Sequence, residues 1–181
     1  MPVAVAVVAK ALLFSSFMFP AALDTTSKFI TYSLMAFALL FPAILSGLTN
    51  ESVFLVLLPN LILPIIILFT WLYSPYAYSV MDGHVVIHRR IGLFRIPLHE
   101  VVAVDGLDKK AMGWAIRTMG NGGLFGYTGW YTSSPQGRMR WFVRQQKNYV
   151  MLVCANNKKV VLSPNEPLAL VQAIREQLPQ T

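Results

Sequence analysis

The residues that most invite a chemical interpretation are the glycine-rich run Gly120–Gly129, with the sequence GNGGLFGYTG. Backbone N–H groups in such runs can cradle phosphates. A Walker loop, however, needs Lys and Ser or Thr after its last glycine, and a dinucleotide fingerprint needs glycines at i, i+2 and i+5, where Phe125 takes the third place. The glycines are therefore interpreted as structural, permitting positive φ, bulges or close backbone approach between strands.

The same run also supports a binding hypothesis. Large apolar side chains accompany the glycines, and they would form a tip that touches lipid or a protein partner. The candidate contact residues are Leu124, Phe125, Tyr127 and Trp130. Both interpretations remain open at this stage.

The histidines, the cysteine and the acids give no catalytic or metal site. His84 and His88 are four apart on a predicted strand, which separates them by about 13 Å, too far for two ligands of one ion. The single cysteine, Cys154, excludes a thiolate cluster and an internal disulfide. No known catalytic signature is present, so we expect a noncatalytic protein without metal or cofactor.

Basic residues suggest a second type of contact. The chain has 15 Lys and Arg against 8 Asp and Glu, a formal charge of +7. The pairs Arg89-Arg90 and Lys109-Lys110 are candidate contacts for anionic lipid headgroups or a partner, although charges at loops and strand ends usually stay solvated. Nucleic acid is not expected as a partner, since no recognised motif accompanies the charge.

The charges divide the chain into two parts. Hydrophobic residues make up 55% of the chain and charged residues only 13%. All but two of the basic residues fall between Arg89 and Arg175. Two uncharged runs precede them, Phe29–Leu48 and Val53–Tyr73, each long enough to cross a bilayer as a helix.

These runs predict a two-helix transmembrane hairpin over residues 27–75, with spans at about 29–48 and 53–73. Asn60 is the strongly polar residue inside a span, and it is a candidate helix–helix contact. Positive charge on the flanks predicts a multi-pass protein of the cell membrane with both termini in the cytoplasm, and Trp71 and Tyr73 suit an aromatic belt. Two buried helices of a soluble core are the alternative.

The N-terminal segment, residues 1–26, has several possible structures. Apolar and other residues alternate from Phe17 to Leu23, which favours an edge strand. An interfacial helix and a third span remain alternatives.

From residue 76 to 181 the sequence predicts a β-rich domain. Tyr76–Met81 and His84–Arg90 flank Asp82-Gly83, a signal for a type I′ hairpin. About seven short strands follow one another and end in a helix. That helix is predicted to begin at Ser163-Pro164-Asn165-Glu166 and to bury an apolar face. This face is formed by Leu168, Val171, Ile174 and Leu178.

Several of these sequences together resemble a known family. They are YSVMDG with HVVI, IPL before Glu100-Val101, the glycine run Gly120–Gly129, and VLSP at 161–164. The chain resembles the bacterial pleckstrin-homology-like (PH-like) small integral membrane proteins over residues 76–178. The resemblance implies a PH-like barrel capped by a C-terminal helix, and binding or assembly at a membrane without known chemistry.

The predicted fold class is thus an α+β membrane protein: a two-helix transmembrane hairpin followed by a PH-like antiparallel β barrel or sandwich with a C-terminal helix. The predicted function is noncatalytic binding or scaffolding at the cytoplasmic face of the membrane. Its partners would be membrane lipids, a protein partner or a homo-oligomer. The alternative is a structural subunit of a larger membrane assembly whose main contact surface is the hairpin.

Overall fold

The computed structural model describes residues 18–48 and 53–178. Within them the chain forms ten β-strands, four α-helices and a 3₁₀ turn at Leu98–Glu100. The helices are α1 (Thr25–Leu48), α2 (Val53–Tyr73), α3 (Lys109–Met112) and α4 (Pro167–Arg175). The strands are β1 (Met18–Pro20), β2 (Pro75–Met81), β3 (His84–Arg89), β4 (Leu93–Pro97), β5 (Val101–Leu107), β6 (Ala115–Gly123), β7 (Gly126–Ser133), β8 (Gly137–Val143), β9 (Tyr149–Cys154) and β10 (Lys159–Leu162).

The strands form two sheets. The first has the order β1-β2-β3-β4, and the second has the order β5-β9-β10-β8-β7-β6. Neighbouring strands are antiparallel except for β10, which runs parallel to β8 and antiparallel to β9. In the first sheet β1 pairs with β2, from Met18 opposite Ser79 to Pro20 opposite Ala77. Residues 1–17, which hold most of the predicted N-terminal segment, lie outside the described residues.

The main hydrophobic core lies between the two sheets and under α4. Strands of the first sheet contribute Tyr78, Val85 and Ile87, and the second sheet contributes residues such as Leu152. A second cluster lies on the other face of the second sheet, where Met112 of α3 covers part of it. The central strands of the second sheet are therefore buried on both faces.

Tyr78 connects the two sheets by hydrogen bonds as well as by packing. Its hydroxyl donates to the carbonyl of Phe142, at 2.6 Å, and accepts from the N–H of Ser163, at 3.2 Å. The ring is completely buried, and desolvation raises the pKa of Tyr78 to about 12. The phenol thus stays protonated and keeps its donor role.

The predicted hairpin at Asp82-Gly83 is confirmed. Both residues have positive φ, 51° and 70°, as a type I′ turn requires. The C-terminal helix differs from its prediction, because Pro167 and not Pro164 occupies its first turn. The Ser163 hydroxyl does not cap this helix, since it accepts from the N–H groups of Arg144 and Gln145.

The buried face of α4 also differs in part. Val171 and Ile174 are buried as expected, whereas Leu168 is 79% exposed and Leu170 is buried in its place. The buried residues Leu170, Val171, Ala173 and Ile174 share one face of α4, and Leu168 lies on the other side of the helix.

The prediction of a two-helix transmembrane hairpin over residues 27–75, with spans at 29–48 and 53–73, is wrong. Across residues 18–48 and 53–178, no helix combines the length and the apolar character needed to cross a membrane. The α+β membrane protein fold class and the multi-pass location with cytoplasmic termini rested on that hairpin, and they are corrected with it.

The physical reason lies at the base of the two helices. Each uncharged run is long enough to cross a bilayer only if its full length is available to lipid. In the structure the first turns of α1 dock on the sheets and bury Ser27 and Thr31. At the end of α2, the rings of Trp71 and Tyr73 lie under arginine side chains. Part of each run is therefore packed against the β domain.

Candidate anion-binding site at the base of the helical hairpin

Asp24 fixes the start of α1 on the second sheet. Its Oδ1 accepts from the N–H of Ser27, at 2.7 Å, as an N-cap does. Its Oδ2 accepts from the N–H of Gln146, at 3.0 Å, and from the hydroxyl of Tyr127, at 3.4 Å. One carboxylate thus joins a helix, a strand and a loop.

The turn between β6 and β7 is held by both helices. The N–H of Phe125 donates to the hydroxyl of Thr31 in α1, at 3.0 Å. The hydroxyl of Ser74, which follows α2, donates to the carbonyl of Phe125. Phe125 itself has a φ of 56°, and the side chain of Asn121 supports the turn with further hydrogen bonds. The two helices and the turn therefore form one junction.

Two arginines lie on the aromatic end of α2. The guanidinium of Arg90 lies 4.3 Å from the centre of the Trp71 ring, and that of Arg89 lies 5.4 Å from the Tyr73 ring. Arg90 also donates to the carbonyl of Trp71, at 3.4 Å. Stacking of this kind fixes the plane of a guanidinium and leaves its N–H edge available to another acceptor.

Two more arginines approach the first pair from β8. Arg144 follows β8, and Arg140 lies within it over the Phe94 ring, at 4.5 Å. Burial, and then repulsion from Arg90, lowers the pKa of Arg144. Burial, and then repulsion from Arg89, lowers the pKa of Arg140. We call Arg89, Arg90, Arg140 and Arg144 the arginine cluster.

The arginine cluster has no carboxylate partner within the described residues. The ion pair that the described residues do form lies elsewhere and joins Arg175 of α4 to Asp105 of β5. The Nε atoms of Arg89 and Arg144 are buried and have no hydrogen-bond partner in the described part of the chain. Arginine stays charged in proteins, and partly buried positive charge is costly without a counter-charge. The cluster is therefore chemically suited to an anion with several oxygen acceptors.

The predicted basic residues separate in the structure. Arg89 and Arg90 lie in the cluster, whereas Lys109 and Lys110 lie exposed on α3. The Gln136 side chain donates to the carbonyl of Ala111, which places α3 beside the start of β8, at the opposite end of that strand from Arg144.

The predicted apolar tip lies against the helices of the same chain. Leu124 and Tyr127 are buried, while Phe125 is half-buried. Trp130, also half-buried, lies 4.5 Å from the guanidinium of Arg138. Their contact with lipid or a partner stays a prediction, and Phe125 is the turn residue that lines a groove between the helices.

Asn60 lies on α2 beside a groove that α1 also lines, with Phe37 and Phe41. Its predicted role in helix–helix contact stays a prediction. His88 is buried, and its Nε2 lies 2.7 Å from the hydroxyl of Ser79. Desolvation lowers the pKa of His88. In the described residues, His, Cys, Asp and Glu side chains form no group that could hold a metal ion.

A comparison with protein families decides the relationship of this chain. A family model described as bacterial PH domain matches residues 76–178, which is more than half of the chain. The chain belongs to the bacterial PH domain family. No curated protein and no solved structure gives a significant match. The predicted PH-like domain is confirmed by this match.

PH domains are generally noncatalytic binding modules, and membership therefore makes this chain a candidate binding or scaffolding module. In this bacterial PH domain, Arg89 and Arg90 can be recognised from the sequence as a basic pair, whereas Arg140 and Arg144 cannot. Neither of those two stands in a basic pair, and they reach the cluster only through the pairing of β8 in the second sheet. The sequence predicts an aromatic-belt position for Trp71, but its stacking under Arg90 depends on the tertiary structure.

Proposed function

We propose that this bacterial PH domain is a noncatalytic module that binds the anionic headgroup of a lipid at the arginine cluster. The observation that carries the proposal is that Arg89 and Arg90 are held on the Tyr73 and Trp71 rings with no carboxylate partner among the described residues. The buried Nε atoms of Arg89 and Arg144 have no hydrogen-bond partner there either. A phosphate headgroup offers several acceptor oxygens to guanidinium forks in this arrangement.

The position of the cluster supports a lipid over a free ion. Arg90 stacks on Trp71, whose apolar surroundings include α1 and α2 residues such as Leu39 and Leu68. These side chains are 78% and 52% exposed. An anion that carries apolar groups would contact both kinds of surface, whereas a free ion would use only the charges.

Vesicle binding by the full chain tests the proposal. We expect stronger association with vesicles of phosphatidylglycerol and phosphatidylcholine than with phosphatidylcholine alone, and we expect this difference to shrink as salt is raised. Arg90→Gln and Arg144→Gln should each weaken the phosphatidylglycerol-dependent part about fivefold, since a basic residue near an anionic surface is worth about 1 kcal/mol.

Lys110→Gln is the control, because Lys110 is exposed on α3, which lies beside the start of β8, at the opposite end of that strand from Arg144. It should leave the phosphatidylglycerol-dependent binding nearly unchanged. Equal binding to both kinds of vesicle, or equal weakening by all three substitutions, would overturn the proposal.

A further inference from the structure

An open apolar groove of about 410 Å³ runs between α1 and α2. Its volume lies in the range of small-molecule sites. Its walls include Met35, Leu39, Pro64, Leu68, Trp71 and Phe125. These side chains offer no charge, so the groove suits an apolar group.

The groove has a direction relative to the sheets. Pro64, Leu68 and Trp71 are spaced at one helical turn each along one face of α2, which gives a length of about 10 Å. Trp71 is close to the end of α2, and Phe125 lies on the β6–β7 turn. The groove thus begins at the junction with the sheets and extends away from them.

The end of the groove at the junction is positively charged. Arg90 stacks on Trp71, one of the groove walls. A Cβ built on Gly126, next to the wall residue Phe125, would be 3.6 Å from Cγ of Arg144. The groove therefore ends beside two members of the arginine cluster, Arg90 and Arg144.

We propose that the groove and the arginine cluster form one binding site for an anionic amphiphile with an unbranched acyl or alkyl chain. The chain lies along the groove between α1 and α2, and the headgroup oxygens contact Arg90 and Arg144. This proposal rests on the proposed function and adds the part of the ligand that is recognised. An anionic amphiphile matches both the positive charge at one end of the groove and the apolar walls along the rest. An apolar helix of a partner would match only the walls and would leave the arginines without a counter-charge.

The chain-length dependence of binding tests the groove. Alkyl phosphates from ethyl to decyl phosphate, kept below their micelle concentrations, would be titrated into the full chain by calorimetry. Affinity should rise about fourfold with each methylene that enters the groove and then level off when the groove is full. Arg90→Gln should weaken binding about fivefold for every member of the series.

Substitutions that fill the groove separate the two parts of the site. Leu68→Trp should abolish the rise with chain length and leave ethyl phosphate binding unchanged, and Leu39→Trp provides a second variant with the same expected effect. Ile65→Trp is the matched control, because Ile65 is 50% exposed on the same helix, close to the 52% of Leu68, and does not line the groove. It should retain the rise.

The outcomes distinguish failure of the groove from failure of the arginine cluster. Affinity that is independent of chain length, or a rise that survives both Leu68→Trp and Leu39→Trp, would overturn the acyl-chain inference. The proposed function would survive that result if Arg90→Gln still weakened binding of ethyl phosphate. Equal ethyl phosphate binding by the Arg90→Gln variant and the natural chain would overturn the proposed function itself.

Discussion

Gly120 and Gly129 face each other across β6 and β7. Their φ angles are 120° and 126°, a region that residues with a side chain rarely adopt. A Cβ on Gly129 would overlap the carbonyl oxygen of Met119 and lie 2.8 Å from Cα of Gly120. The structural interpretation of the glycine-rich run is confirmed at these two positions, because the backbones approach too closely for any side chain.

Substituting Gly129 by alanine should therefore destabilise the protein. We expect Gly129→Ala to lower the free energy of unfolding by about 2 to 3 kcal/mol, from backbone strain together with the clash. Urea unfolding followed by circular dichroism measures the change. Gly106→Ala is the control, since a Cβ on Gly106 meets nothing within 4 Å. Equal stability of the two variants would contradict this account of the strand pair.

Among single residues, the sequence predicts those whose conformation is set by their immediate neighbours in the chain. The Asp82-Gly83 turn was predictable because its positive φ angles are set by the two residues themselves. The environment of Arg144 was not, because its neighbours are Arg90, just after β3, and Gly126, at the start of β7, both far away in the sequence.

Among the elements, α1 shows how one residue positions a whole helix. Asp24 caps α1 and binds the backbone of Gln146, so a helix terminus and the loop before β9 share one carboxylate. Thr31 and Ser74 then attach the two helices to the turn at Phe125. The orientation of the groove relative to the arginine cluster depends on these few polar contacts.

Removing this carboxylate should loosen α1 from the sheets. We expect Asp24→Ala to lower the free energy of unfolding by about 2 kcal/mol, since the cap and the bond to Gln146 are both lost. Asp24→Asn should have a smaller effect, because an amide oxygen still caps the helix. Asp108→Ala is the control, as it removes only the cap of the short helix α3. Unchanged unfolding midpoints for both Asp24 variants would contradict the anchoring role.

For the two long helices, α1 and α2, the sequence predicted the bounds well but the environment wrongly. Their existence and approximate bounds followed from the two uncharged runs, with α1 at Thr25–Leu48 and α2 at Val53–Tyr73. Their assignment to a membrane did not hold, because hydropathy cannot tell which turns of a helix dock on a sheet. Ser27 and Thr31 gave the available clue, as two polar residues one turn apart at the start of α1.

At the level of the whole molecule, the two sheets share one core and one buried phenol. Tyr78 from the first sheet holds the carbonyl of Phe142 and the N–H of Ser163, which belong to the second sheet and to the segment after it. Because the packing and these bonds connect both sheets, they should unfold together.

Tyr78→Phe tests this connection. The substitution keeps the ring but removes one hydrogen bond from each of two buried backbone groups, which should cost about 2 kcal/mol. Tyr76→Phe is the control, since Tyr76 is 37% exposed. Near-ultraviolet and far-ultraviolet circular dichroism should give the same unfolding midpoint for each protein. Separate midpoints would show that unfolding is not a single transition and would contradict a core shared by both sheets.

The position of β10 has a consequence for synthesis. Lys159–Leu162 is inserted between β8 and β9, although both of those strands precede it in the chain. While a ribosome is still translating this region, β8 and β9 each keep an unpaired edge, and such edges invite pairing with other nascent chains. Synthesis of these four residues therefore closes both edges and ends this opportunity for pairing with other nascent chains.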